Sequence, residues 1–164
     1  MKDDTASHGR MTAEINTLRG VLRSLDWDPR HIEETGGFVV DFDPPYVPIA
    51  HAYAAIAEEP ELFLFYLNVG VRVSQERKDE VACFLTRVNS DLMNGNFDMD
   101  YEDGMVRFRS SVGFAGTELS EHLIRNVILF AMNAVEKYAE PLIDVIARGK
   151  GAEQAFQEAN AAPE

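Results

Sequence analysis

Cysteine is nearly missing from this chain. Cys83 stands alone among 164 residues, so no internal disulfide can form and packing must hold the fold. No apolar run approaches the roughly 20 residues that cross a bilayer as a helix. The opening Met1-Lys2-Asp3-Asp4 is not followed by the apolar core of a signal peptide. These absences predict a cytoplasmic protein that does not engage a membrane. Positive charge is scarce as well: 15 lysines and arginines face 28 aspartates and glutamates, a net charge of −13. Neither chain end accounts for that excess, so it sits on the folded body. Without a basic cluster there is no electrostatic route to phosphate backbones, and nucleic acid is excluded as an expected partner. The acidic surface reads first as a source of solubility and second as a match for a basic partner.

Catalytic and ligand motifs are also missing. His31, His51 and His122 lie far apart and show no H-x-x-x-H spacing, and His8 falls in a polar leader. Asp98-x-Asp100-x-Glu102 departs from a calcium loop, because Asp103 stands where the glycine belongs and Arg109 where the bidentate glutamate belongs. Asp41-x-Asp43 precedes prolines and reads as a strand end rather than a metal site. Cys83 reads as a packed thiol with no basic neighbour or CxxC partner. Ser110-Ser111 lacks a nucleophile elbow, and Gly36, Gly37 and Gly70 do not make a dinucleotide-binding loop. The expectation is therefore no catalytic residue, no metal and no cofactor.

What is present is periodicity. Hydrophobic content of 46% fits a globular chain able to bury roughly 70% of its unfolded surface. Residues 1–10 and 150–164 read as disordered tails around one domain spanning 11–149. Thr12 opens a first helix with Ile15, Leu18, Leu22 and Leu25 on one stripe, ended by Pro29, with Trp27 covering an edge of the core. Phe38-Val39-Val40-Asp41-Phe42 is a strand stopped by Pro44-Pro45. Residues 47–57 read as strand or helix, with strand preferred for their length and the turn that follows. Residues 62–69 form a strand apolar on both faces, Phe63, Phe65 and Leu67 on one and Leu62, Leu64 and Tyr66 on the other. That pattern predicts cover on both sides.

Ser74 caps a second helix whose buried face is Val81, Phe84, Leu85, Val88 and Leu92, closed by Asn94-Gly95. A hairpin follows over residues 95–114. With Asp103-Gly104 as a two-residue turn, Tyr101 would face Val106, Asp100 Arg107, Met99 Phe108, and Asp98 Arg109. One face would then be apolar and the other would carry two acid–arginine pairs. A slip of one residue would set arginines against apolar groups. Ser120 opens a third helix reaching about Ala147, with Pro141 expected to kink or break it. Ile124, Val127, Ala131, Val135, Tyr138, Leu142 and Val145 make its wide stripe. Leu129 and Met132 fall on the opposite side and Phe130 at the margin. These three are the candidate dimer interface.

The second half, residues 62–149, resembles the YbjN-like family, bacterial proteins described as sensory transduction regulators. The resemblance rests on Leu64-Phe65-Tyr66 leading to Val71-Arg72-Val73-Ser74, on Arg87-Val88-Asn89, on Asn94-Gly95-Asn96-Phe97 opening the hairpin, and on Leu119-Ser120-Glu121 opening the last helix. It implies the fold of type III secretion chaperones: an α+β domain in the order αβββαββα, an antiparallel sheet with helices packed on it, paired into homodimers. It brings no catalytic residues. It implies a non-enzymatic role in which apolar surface captures a segment of a protein partner by strand addition or groove docking. The alternative is a small-molecule-responsive sensory regulator with a site between sheet and helix. The surface expected to take a partner or ligand is Phe63, Leu64, Phe65 and Tyr66. An enzyme is the third reading.

Overall fold

The computed structural model describes residues 3–46 and 48–161, with side chains for 10–42 and 48–161. Helix α1 (Asp3–Ser24) is followed by four strands, β1 (Arg30–Ile32), β2 (Gly37–Tyr46), β3 (Ile49–Ala57) and β4 (Leu62–Arg72). A short 3-10 turn then leads into α2 (Lys78–Asp91), β5 (Asn96–Met99), β6 (Met105–Gly113), α3 (Glu121–Ala147) and α4 (Ala152–Ala159). The strands make one six-stranded antiparallel sheet in the order β1-β2-β3-β4-β6-β5. The α+β class and its sheet match expectation. The additions are β1 and α4, and residues 47–57 resolve as strand from Ile49 onward.

α1 begins well before Thr12. Around Arg10 the helix is tied to the body: its guanidinium meets Glu14 at 3.1 Å and Glu61 at 2.9 Å, and donates to the Thr117 carbonyl at 2.7 Å. The expected leading tail is therefore helical from Asp3. The helix stops before Pro29. Trp27 N–H donates to the Leu22 carbonyl and Asp26 N–H to that of Arg23, with Asp26 at φ 59°. This Schellman ending places Trp27 over the core, edge-on to Phe42 at 5.3 Å.

The expected trailing tail is also corrected. Ala152 and Ala155 of α4 are buried, and Glu80 on α2 accepts a 2.5 Å hydrogen bond from the Ala152 N–H. Arg77 holds the end of α3 by donating to the Val145 and Lys150 carbonyls. Residues 1–2 and 162–164 lie outside the described residues. Pro141 leaves α3 unbroken, since Tyr138, Ala139 and Leu142 anchor the turns around it in the core. Ser74 makes no side-chain cap, whereas Ser120 accepts from the Leu123 N–H at 3.2 Å.

The hairpin keeps its faces and changes its register by two residues. Phe97 faces Phe108, Asp98 faces Arg107 and Met99 faces Val106. Residues 101–104 form the loop, Gly104 alone taking a left-handed φ of 75°. Gly104 N–H donates to the Asp100 carbonyl at 2.8 Å. Tyr101 therefore lies in the loop and is exposed, contrary to its expected place on the apolar face. The β4 end sets this register: Val73 N–H donates to the Gly104 carbonyl at 2.8 Å, and Arg72 pairs with Asp103 at 2.5 Å. The Lys78 ammonium also donates to the Tyr101 carbonyl.

One sheet face is roofed. Phe38, Val40, Ala52, Ala54, Phe63, Phe65, Leu67, Val106, Phe108 and Phe97 are buried there with the inner stripes of α1, α2 and α3. The two-sided apolar pattern of β4 predicts cover on both faces. Instead, Leu64 and Tyr66 are only half-buried, because neighbouring side chains of the sheet, not a further layer, shield them.

Candidate functional site

Two surfaces carry residues that the core leaves unused. The first is on α3. Its whole expected stripe is buried, and Leu129 and Phe130 remain 59% and 54% exposed. Met132 is half-buried. Successive helical residues diverge by about 100°, so Leu129 and Phe130 look into different hollows. Leu129 and Met132 line a groove of about 450 Å³ with Leu25, Trp27 and Ile128, and with His122 and Arg125 at its rim. Arg125 donates to the Ser24 hydroxyl at 2.6 Å, bracing the far wall. Phe130 shares a shallower hollow of about 260 Å³ with Leu92, Met93 and Tyr138. Met93 is fully exposed and escaped the sequence reading, because it lies past the last periodic position of α2. An apolar residue inside a polar Asn-Gly stop was the available signal.

The second surface is the unroofed sheet face. The four residues proposed as a partner surface are split by strand alternation. Phe63 and Phe65 are 0% exposed and belong to the core, so they cannot touch a partner or line a site between sheet and helix. Leu64 and Tyr66 point the other way. Across the open face one row runs Val39, Tyr53, Tyr66, Arg109 and the next runs Asp41, His51, Asn68, Arg107, Asp98. Val39, His51, Tyr53, Tyr66, Asn68 and Arg107 enclose a concavity of about 390 Å³. The Tyr53 and Tyr66 rings lie 6.1 Å apart, and the Arg107 guanidinium stands 5.4 Å from the Tyr66 centroid. Tyr53 also lies across Gly37, where any Cβ would sit 2.7 Å from its hydroxyl oxygen. Asp98 accepts from Arg107 at 2.8 Å and meets Arg109 at 3.7 Å, while Arg30 pairs with Asp41 at 3.4 Å.

The remaining sequence candidates stay apart. His31, His51 and His122 sit on β1, β3 and α3, and no group of three or more metal-binding side chains occurs among the described residues. Asp43 has no described side chain. Cys83 is exposed rather than packed, and Arg87 is one helical turn away. The hydrogen bond with Cys83 pushes the Arg87 guanidinium above its ordinary pKa. In the hairpin loop, hydrogen bonds from Arg72 and the Met105 N–H hold the Asp103 carboxyl below the usual carboxylate range. No described helix is long and apolar enough to cross a membrane.

The family model described as "YbjN: Putative bacterial sensory transduction regulator" matches residues 14–144, reaching past the resemblance over residues 62–149 into the first half. No curated protein matches the sequence. The fold is shared with the crystal structure of YbjN from E. coli, with a TM-score of 0.58 at 13% identity over 77% of this chain and 91% of that one. The ExsC–ExsE complex gives a TM-score of 0.61 at 14% identity, covering 80% of this chain and 95% of the other. The HopA1–SchA chaperone–effector complex gives 0.54 at 14% identity, over 76% and 91%.

Proposed function

Because the chain belongs to the YbjN family and folds like type III secretion chaperones, we propose that it is a non-enzymatic interaction protein that pairs with a second copy and holds a segment of another protein. The observation that carries this reading is the apolar surface left on the outer side of α3. Leu129 is more than half exposed on a groove floored by Trp27, Ile128 and Met132, and Phe130, also more than half exposed, faces the neighbouring hollow with Leu92 and Met93. Exposed large apolar side chains grouped on one helix are the kind of surface that a protein interaction covers. Leu129, Phe130 and Met132 join the two copies, and Leu64 and Tyr66 on the open sheet face meet the held segment. The neighbours ExsC and SchA were solved with ExsE and HopA1, which supports a protein partner here.

Native mass spectrometry of the chain purified from its own host tests this. The expected species is two copies of the chain with one further polypeptide in fixed ratio, reduced to a single copy by Leu129→Glu with Met132→Glu. A wild-type chain that is monomeric and bare would overturn the reading. A bound metabolite in place of a polypeptide would favour the sensory alternative instead.

A further inference from the structure

The concavity on the open sheet face is out of charge balance with the chain that carries it. Three arginines, Arg30, Arg107 and Arg109, alternate onto that face with two aspartates, Asp41 and Asp98. The chain as a whole stands at −13, so its excess negative charge lies elsewhere. Arg30 and Asp41 satisfy each other. Asp98 alone serves both remaining guanidiniums: it is close to Arg107 and stretched to 3.7 Å from Arg109, which is half exposed. Two forked cations on one carboxylate leave donors without an acceptor.

The polar groups beside them are also unused. The His51 ring, the Tyr53 and Tyr66 hydroxyls and the Asn68 amide make no side-chain hydrogen bond among the described residues. Asn68 is 9% exposed, and its unpaired amide still reaches solvent at the concavity. Accessible donors and acceptors gathered in one concavity are the groups that a ligand's polar atoms engage. Asn68 faces Arg107 and Tyr66 faces Arg109 directly across β4 and β6. Arg107 joins the amide and the phenol in lining the concavity, 5.4 Å from the Tyr66 centroid, and Asp98 links it to Arg109 at the edge.

We propose that this concavity reads an acidic side chain: the carboxylate of an Asp or Glu on an extended partner segment seats against Arg107, Arg109 and Tyr66, with Asn68 beneath. This rests on the interaction reading above and specifies what the held segment must contain. Leu64, one row away and half-buried, meets the segment's apolar neighbour at the two-residue repeat of an extended chain. The chain's overall negative charge does not oppose this, because repulsion from distant charges is screened beyond about 8 Å at physiological salt.

The test pans a phage library of random dodecapeptides on the purified protein. Fluorescence anisotropy then measures an enriched peptide against wild type, Arg109→Gln and Tyr66→Phe. Arg109 is half exposed, and urea midpoints check that both variants fold. The expected peptides share an acidic residue at one position. Its replacement by glutamine weakens binding at least tenfold on wild type and by less than threefold on R109Q, the signature of a direct pair. The proposal is overturned if enriched peptides lack that acid, if both protein variants bind like wild type, or if micromolar succinate displaces the peptide and marks a free-dicarboxylate site. Peptides that enrich without an acid sink only this proposal. A library that yields no binder at all sinks the interaction reading with it.

Discussion

Gly104→Ala isolates the contact that sets the hairpin's register. At Gly104 an added Cβ would lie 2.3 Å from the Val73 carbonyl oxygen and 3.1 Å from the Val73 nitrogen, both backbone atoms that cannot swing aside. Three costs combine. A left-handed φ of 75° costs an alanine about 1 kcal/mol. The 2.8 Å bond from Val73 N–H to the Gly104 carbonyl, once displaced, costs about 1 kcal/mol. Forcing the backbones apart costs about 2 kcal/mol. The sum, about 4 kcal/mol, is a large share of a stability of about 5–15 kcal/mol. Gly36 is the matched control, with φ 67° and nothing within 4 Å of a Cβ, so Gly36→Ala should cost the conformational term alone, about 1 kcal/mol. In urea, with a slope of about 2 kcal/mol per molar, the midpoints should fall by about 2 M and about 0.5 M. Equal shifts for the two variants would refute the close approach of loop and strand.

Asp144 sits between Arg148 and Lys150, the latter at 2.6 Å, and hydrogen bonds from Lys150 first and Arg148 second hold its carboxyl below the usual range. A folded pKa below the unfolded one stabilises above pH 4 or so and fades as pH falls through the lowered value. Asp144→Asn should therefore lose about 1 kcal/mol at neutral pH, with the gap to wild type closing in acid; thermal melts from pH 7 to 2 measure it. Phe63→Ala should cost about 3–5 kcal/mol and Leu64→Ala about 1 kcal/mol by chemical denaturation, because only the first leaves a cavity under the helices. A reversed order would mean the β4 faces are assigned the wrong way round.

The hairpin shows how far the sequence could be read. Alternation of apolar and charged side chains fixes which residues share a face, but a slip of two preserves every face. Phe97, Met99, Val106 and Phe108 were thus placed correctly while their partners were not. The missing information was non-local: the Val73 and Arg72 contacts that make residues 101–104 a four-residue loop. The stripes of α1, α2 and α3 were legible because a single 3.6-residue period dominates each. α4 was not, because its buried residues are alanines, whose small size gives little pattern. Leu129 and Phe130 could be picked out as apolar residues off the stripe. The open-face concavity could not, since Tyr53, Tyr66, Asn68 and Arg107 come from three strands and meet only through pairing. Cys83 was misplaced by one step of the helical wheel, enough to move it from the core to water.

The two outermost strands are short, three residues in β1 and four in β5, beside inner strands of nine to eleven. At β5 the Asn89 side chain imitates a further strand, accepting from the Phe97 N–H at 2.8 Å and donating to its carbonyl at 2.9 Å. Such rims offer an incoming backbone too few free groups to grip. Molecules crowded together are thus kept from stitching sheet to sheet into fibrils.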